Sequence, residues 1–351
     1  MRIATESFFD KIKDALKAEL PFVGYRLPKT DVIKGHFPLD DNLQYTTTFS
    51  ESGFVFAPFD DKKPSILFPL TESASYTTSF SDTFEIDKGI AHRDFASENS
   101  KSKHIGLVQK GVDLLKTTGT KKVVLSRREV VECPDFELIK TFKKLLSNYP
   151  NAMVYVWFHP KVGLWLGATP ETLLKVQDNS FTTMSLAGTQ TYKGSLDIVW
   201  ENKDKQEQQF VTDYIVEKLD NRVKISELQT IKAGSLVHLC TTISGRLSKE
   251  FTLHKLIKLL HPTPAVCGLP KAESKTFILD NEGYDRTFYT GFLGELNIDD
   301  SSNLFVNLRC MQVLQKQLAV YIGGGITVES NPEKEWEETV AKSKVMLAVL
   351  S

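Results

Sequence analysis

A mixed α/β fold, in which one sheet or two stacked sheets carry helices outside, is predicted by two observations. Many short stretches alternate or run apolar as strands do, and amphipathic helical stretches are interleaved among them along the chain. The N-terminal stretch Thr5–Leu20 carries Phe8, Phe9, Ile12, Leu16 and Leu20 at helical spacing. Strand patterns follow at Phe22–Leu27, Gln44–Phe49, Phe54–Phe56 and Ile66–Phe68. Thr71–Asp87 is rich in Ser and Thr and reads as an exposed connection between an N-terminal lobe and the rest. Ile105, Val108, Val112 and Leu115 make a second helical stripe, and Lys122–Glu132 reads as a strand. Asp135–Leu146 is predicted helical, with Asp135 as its N-cap. Ala152–Phe158 and Gly163–Gly167 read as strands joined by a His-Pro-Lys turn. Pro170–Lys175 reads as a short helix with Pro at its first position. Phe181–Ala187 is a strand pattern, and Asn202–Leu219 is a long helix with Phe210, Val211, Tyr214, Ile215 and Leu219 on its apolar side. Leu304–Val313 and Leu318–Ile322 read as neighbouring strands, and a helix from about Glu333 to Leu350 closes the chain. No internal repeat is visible.

Bulk properties exclude several function classes. The 351 residues are 41% hydrophobic and 25% charged, the composition of a globular chain long enough to bury a large core without staples. A formal net charge of −1 provides no global field for nucleic acid or an anionic membrane, so an anionic small substrate needs locally placed cations. Cys133, Cys240, Cys267 and Cys310 form no CxxC pair and read as reduced, buried thiols. The opening MRIATESFFD has acids where a signal peptide is apolar, and no apolar run approaches the roughly 20 residues of a membrane helix. A cytoplasmic protein is expected. No HxH or HExxH pattern points to zinc, although His238 and His261 sit in apolar contexts. Ser126 and Ser185 lack a nucleophile-elbow context.

Several residues are able to carry chemistry. Asp204 and Glu207 lie three apart on one predicted helix, and Glu335 and Glu338 lie three apart on another. That spacing puts each pair on one helical face, and two such faces meeting offer the oxygen ligands that Mg²⁺ prefers. By spacing alone, solvated helix faces are the commoner fate of such pairs. Gly323, Gly324 and Gly325 follow a strand and permit close backbone approach to an anion, or else simply a tight turn. Arg309 interrupts a strand pattern; facing inwards it needs an anionic partner, facing outwards none. Lys122 opens an apolar strand and Glu171 follows Pro170. A lysine in an apolar site gives up its proton more readily and can act as base; a buried glutamate holds its proton and can act as acid. A surface lysine is the plain alternative for Lys122.

Taken together, the segments KVVLSR, LGATPETLL, SLAGT, KDKQEQ, HPTPAVCGLP, NLRC, GGGI and NPEKEWEET resemble, in order and spacing, the chorismate-utilising enzymes. This family includes isochorismate synthases, salicylate synthases, anthranilate synthase large subunits and aminodeoxychorismate synthases. The resemblance covers about residues 100–350. It implies a single large α/β (α+β) chorismate-utilising fold, with the active site between two stacked β-rich layers. Residues 1–95 would form the variable N-terminal part of that fold, and 96–351 the chorismate-binding catalytic region.

The resemblance also implies roles. Glu207 and Glu338 match the direct Mg²⁺ ligands, with Asp204 and Glu335 as their partners. Arg309, Lys342 and the backbone of Gly323, Gly324 and Gly325 match positions that hold substrate carboxylates. Gly188, Thr189 and His238 match pocket-lining positions. Lys122 stands where ammonia-using members carry Gln, which points to water as nucleophile, with Glu171 as the acid. Ala265 stands where salicylate-, anthranilate- and aminodeoxychorismate-forming members usually carry Thr. KDKQEQ departs from relatives in having Gln206 and Gln208 where His often flanks the metal-binding Glu. The implied activity is an Mg²⁺-dependent isochorismate synthase, an isomerase acting on chorismate, whose product feeds menaquinone or siderophore synthesis. The alternatives are a salicylate synthase or a non-catalytic chorismate-binding protein. A monomer without an amidotransferase partner is expected.

Overall fold

The computed structural model describes residues 1–80, 97–219, 222–233 and 236–350. Two large sheets dominate it, and neighbouring strands in both pair antiparallel. The first has nine strands, in the order Gly268–Leu269, Lys122–Glu132, Gln317–Ile326, Cys310–Leu314, Gly163–Thr169, Met153–His159, Phe22–Arg26, Val32–Pro38 and Ser73–Ser79. The second has ten. Its main path runs Lys224–Ile225, Leu236–Arg246, Ser180–Thr191, Thr172–Gln177, Ser301–Val306, Phe292–Ile298, Gly53–Ala57, Ser65–Pro69 and Gln44–Thr46, and Gln229–Ala233 pairs with Leu236–Arg246 off that path.

Alternation along the strands explains the stacking. In the first sheet Met153, Tyr155, Trp157, Trp165 and Tyr321 face one way, together with Phe54, Phe56, Ile66 and Phe68 from the second. These rings and chains form the layer between the sheets; Phe68 stacks on Trp157 at 5.1 Å and Trp165 on Tyr321 at 5.3 Å. The intervening residues Val154, Val156, Leu164 and Leu166 face the other way, against Phe8, Phe9 and Ile12 of the helix Thr5–Lys17 and Phe142 and Leu145 of Leu138–Asn148. On the outer side of the second sheet, Val55, Leu67 and Leu174 pack with Val211 and Ile215 of the helix Asn202–Lys218 and with Leu256, Ile257 and Leu260 of Leu253–Leu260. Patterning left one sheet or two stacked sheets open, and the structure has the two stacked sheets, with helices outside, that the resemblance implied. Strands from the first eighty residues contribute to both sheets.

Four local expectations are corrected. Pro170–Lys175 is not a helix. Thr172–Gln177 is a strand, with a register shift between Thr172 and Leu174 that lets Leu173 and Leu174 both turn inwards. Leu304–Val313 is not one strand: Ser301–Val306 belongs to the second sheet and Cys310–Leu314 to the first, and Arg309 at the break has φ +48°. Asp135 is not the cap of its helix, which begins at Leu138. Within Thr71–Asp87, Ser73–Ser79 is a strand paired along Val32–Pro38, while residues 81–87 lie outside the described residues. All four cysteines are free, and Cys133 is half-buried where the other three are buried. Among the described residues, no helix is long and apolar enough to cross a membrane.

Candidate active site

Two of the places where the chain crosses between the sheets lie side by side. After Thr169 it leaves the first sheet and enters the second at Thr172; after Val306 it leaves the second and enters the first at Cys310. The crossings are tied together by Thr169 Oγ1 donating to the Val306 carbonyl at 2.6 Å and the Val306 amide donating to the Glu171 carbonyl at 3.0 Å. Residues at a crossing escape strand alternation, and these two crossings aim Glu171 and Arg309 into one cavity of about 150 Å³.

That cavity gathers nearly every residue singled out from the sequence. Glu171, Gly188, Thr189, Asp204, Glu207, His238, Ala265, Arg309, Gly323, Gly324, Gly325, Glu335, Glu338 and Lys342 all line it. Lys122 stands just behind, 1% exposed, with its ammonium 2.7 Å from Glu207 Oε1. A surface lysine is thereby excluded. Glu171 is 4% exposed, and burial holds its carboxyl up at about 7, against the opposing pull of Lys122 and Arg309. It is therefore half protonated near neutrality, as a general acid requires.

Both acidic helices present their pairs to this one cavity. Asn331 caps the helix Pro332–Leu347 by accepting from the Lys334 amide at 3.0 Å, and Pro332 takes its first turn. This start places Glu335 and Glu338 against the glycine strand, where a Cβ at Gly324 would lie 3.4 Å from Glu335 Oε2 and 3.6 Å from Glu338 Oε1. Burial, then the negative charge of Glu338 and more distantly Glu207, lifts Glu335 to about 7. Asp204 is also raised, chiefly by burial. Lys342, one turn after Glu338, lies 2.6 Å from its Oε1 and donates to the Gly323 carbonyl at 3.1 Å.

The fit to a metal follows from these facts. Four carboxylates share a cavity, two of them hold their protons more tightly than usual, and the glycine strand leaves room beside them. Hard oxygen donors of this kind suit Mg²⁺. Among the described residues, no three His, Cys, Asp or Glu side chains are already gathered on one point; Glu207 and Glu338 are instead turned to lysines.

At the far wall Arg309 donates from Nη2 to His238 Nε2 at 2.8 Å, and His238 Nδ1–H donates to the Gly188 carbonyl at 2.9 Å. The carbonyl can only accept, so the imidazole is neutral with its proton on Nδ1. Burial and the guanidinium push His238 down to about 3, and burial lowers Arg309 to about 10, still charged at neutral pH. Tyr289, Thr290, Tyr321, Lys203 and Ser330 also line the cavity. Tyr289 and Thr290 were missed because the residues around them show no helical or strand period that would single out a polar group.

Gly325 offers a direct check of this geometry. A Cβ there would collide with Glu207 Oε1 and stand 2.9 Å from Lys122 Cε. Gly325→Ala is expected to cut activity by about tenfold or more and to lower the thermal midpoint as well, because the groups that must move are the buried Lys122–Glu207 pair. Wild-type turnover in this variant would mean that the pair does not occupy the working site.

Two stacked antiparallel sheets thus carry one cavity in which buried Lys122 and Glu171, a cluster of carboxylates and the Arg309 guanidinium come together. Residues 69–351 match the family described as chorismate binding enzymes, and the chain belongs to that family. It is 30% identical over 261 residues to the isochorismate synthase EntC of Escherichia coli (strain K12), a match spanning 69% of this chain and 66% of that protein. Among solved structures, the putative 2,3-dihydroxybenzoate-specific isochorismate synthase DhbC of Bacillus anthracis superposes with a TM-score of 0.79 at 24% identity, over 98% of this chain and 99% of that one. The menaquinone-specific isochorismate synthase MenF of Escherichia coli gives a TM-score of 0.75 at 19% identity, over 94% of this chain and 89% of that one. These superpositions establish the shared fold.

Proposed function

We propose that this chain is an isochorismate synthase, an isomerase that converts chorismate reversibly to isochorismate. The observation that carries the reading is the pairing, at one cavity, of buried Lys122 with buried Glu171. Lys122 takes a proton from a water as its oxygen bonds to ring carbon C2. The ring double bonds shift, the C4–oxygen bond breaks, and Glu171 gives its proton to the departing hydroxyl, which leaves as water. One water enters and one leaves, so the change is an isomerisation. Arg309, fixed by His238, and the backbone of Gly323–Gly325 hold the substrate carboxylates. Lys122 must first leave its ion pair with Glu207. Glu207 and Glu338 would hold Mg²⁺, with Asp204 and Glu335 beside them; when bound, it supplies Lewis-acid polarisation and charge neutralisation at the ring carboxylate. The relatives named as isochorismate synthases support this reading.

Incubation with chorismate and Mg²⁺, with products resolved by chromatography, tests it. Isochorismate is expected, interconverting with chorismate from either side. No product at all would leave a non-catalytic chorismate-binding protein. Ala265, half-buried in the cavity wall, bears on product choice. Expelling pyruvate depends on how the enolpyruvyl arm is held, and Ala offers neither a hydroxyl nor a stiff branched chain. Pyruvate release, followed with lactate dehydrogenase, is expected to be negligible in the wild type and raised several-fold in Ala265→Thr. Pyruvate stoichiometric with chorismate in the wild type would make the protein a salicylate synthase.

A further inference from the structure

The helix Asn202–Lys218 meets the second sheet through a largely polar face: its buried residues are Asp204, Gln208, Val211, Thr212 and Ile215. Gln208 is 2% exposed and inserts between Ser185 and Thr241, which are directly opposite each other on adjacent strands. Its side-chain nitrogen lies 2.8 Å from each of those hydroxyls and 3.0 Å from Thr212 Oγ1. The bonds close on themselves. The two amide protons serve Ser185 and Thr241, Ser185 donates to Thr212 at 2.6 Å, and Thr212 donates to the Gln208 main-chain carbonyl at 3.2 Å. Apolar packing lets a helix slide or rotate by fractions of an ångström, whereas directional bonds to two strands specify both its height and its rotation.

What that rotation sets is the site. One turn before Gln208, Asp204 packs over Gly188, where a Cβ would lie 3.3 Å from Asp204 Cβ. One residue before it, Glu207 reaches Gly325 and Lys122. We propose that Gln208 is a positioning residue for Glu207, holding through its hydroxyl ring the angle at which that carboxylate meets a divalent cation. This rests on reading Glu207 as a cation ligand.

Mn²⁺ binding to the full chain without substrate, followed by the electron paramagnetic resonance of free Mn²⁺, separates the two. Partners that orient ligands typically contribute 10–100-fold to metal affinity. Gln208→Met, similar in length but without the amide, is expected to weaken Mn²⁺ binding by about 10–100-fold. Thr241→Val removes one acceptor at constant shape and is expected to weaken binding several-fold. The double variant is expected to be no worse than Gln208→Met alone, because both act through one ring. Wild-type Mn²⁺ affinity in Gln208→Met, with affinity lost in Glu207→Gln, overturns the positioning role while leaving the metal reading intact. Wild-type affinity in Glu207→Gln overturns both. A fall in thermal midpoint without any change in Mn²⁺ affinity marks Gln208 as structural only and also overturns the proposal. Should Gln208→Met not fold, unchanged affinity in Thr241→Val has the same consequence.

Discussion

Glu171→Gln is expected to lower kcat by about 10²–10⁴-fold, the usual contribution of a general acid, with KM changed far less. Gln keeps the shape and the neutral charge of protonated Glu171, so substrate binding survives while the proton for the leaving hydroxyl does not. In the wild type, kcat/KM is expected to fall on the alkaline side with an apparent pKa near 7, the value to which burial raises Glu171. The residual activity of the variant should lack that limb. A variant with wild-type kcat would remove Glu171 from the chemistry.

The same substitution has an opposite effect on stability. The folded-state pKa of Glu171, about 7, lies above its ordinary value of 4.5. The folded protein therefore binds this proton more tightly than the unfolded chain does. Below about pH 4.5 the group costs nothing; as pH rises through about 7 the wild type progressively loses stability, and Gln has no such loss. The shift corresponds to about 3 kcal/mol when complete. Urea unfolding is thus expected to show Glu171→Gln and wild type nearly equal at pH 4.5, with the variant more stable by about 2–3 kcal/mol at pH 8. An equal gap at both pH values would show that Glu171 is not the group holding the proton. Loss of activity together with gain of stability is what a site built at the expense of the fold produces.

How this position arises was only partly legible in the sequence. ATPETLLK has Pro followed by Glu and a pair of leucines, which is also how a helix begins. The competing fact, that Leu173 and Leu174 are both buried because a register shift turns two successive side chains inwards, depends on the partner strand Ser301–Val306. The break at Arg309 was hidden for a related reason: apolar residues lie on both sides of Asn307 and Arg309, from Leu304 to Val306 and from Cys310 to Val313, and only the existence of two sheets decides that the halves part. Helical acids were legible because a period near 3.6 shows in one segment alone. Asp204 could be paired with Glu207, and Glu335 with Glu338, from their spacing, whereas the lysines that face Glu207 and Glu338, Lys122 and Lys342, declare their partners only in three dimensions. The motifs singled out Glu171 and Arg309, and the two crossings explain why both face the cavity.

Glu338→Gln is expected to abolish the response to Mg²⁺: turnover becomes negligible at Mg²⁺ concentrations that saturate the wild type, and EDTA changes nothing further. Glu207→Gln is expected to do the same, but the two variants differ in what else they disturb. Glu207 faces Lys122, which is 1% exposed. Removing one partner of a buried ion pair typically costs about 3–5 kcal/mol, because the remaining charge has neither water nor a counter-ion. Glu207→Gln thus confounds lost metal binding with a weakened fold. Glu338 faces Lys342, whose side chain keeps 23% of its exposure and also donates to the Gly323 carbonyl. Its lost pair is partly replaced by water, and the cost belongs to the range of about 0–1 kcal/mol of solvent-accessible bridges. Glu338→Gln is therefore the cleaner test of the metal. A ligand that binds only the folded state raises its stability, by about 2.7 kcal/mol at a hundred times its dissociation constant. The thermal midpoint of the wild type should rise on adding Mg²⁺, and that of Glu338→Gln should stay where it is while its metal-free midpoint remains close to the wild type's. Full activity of the wild type in excess EDTA, or an undiminished Mg²⁺ response in Glu338→Gln, would take the metal away from these carboxylates.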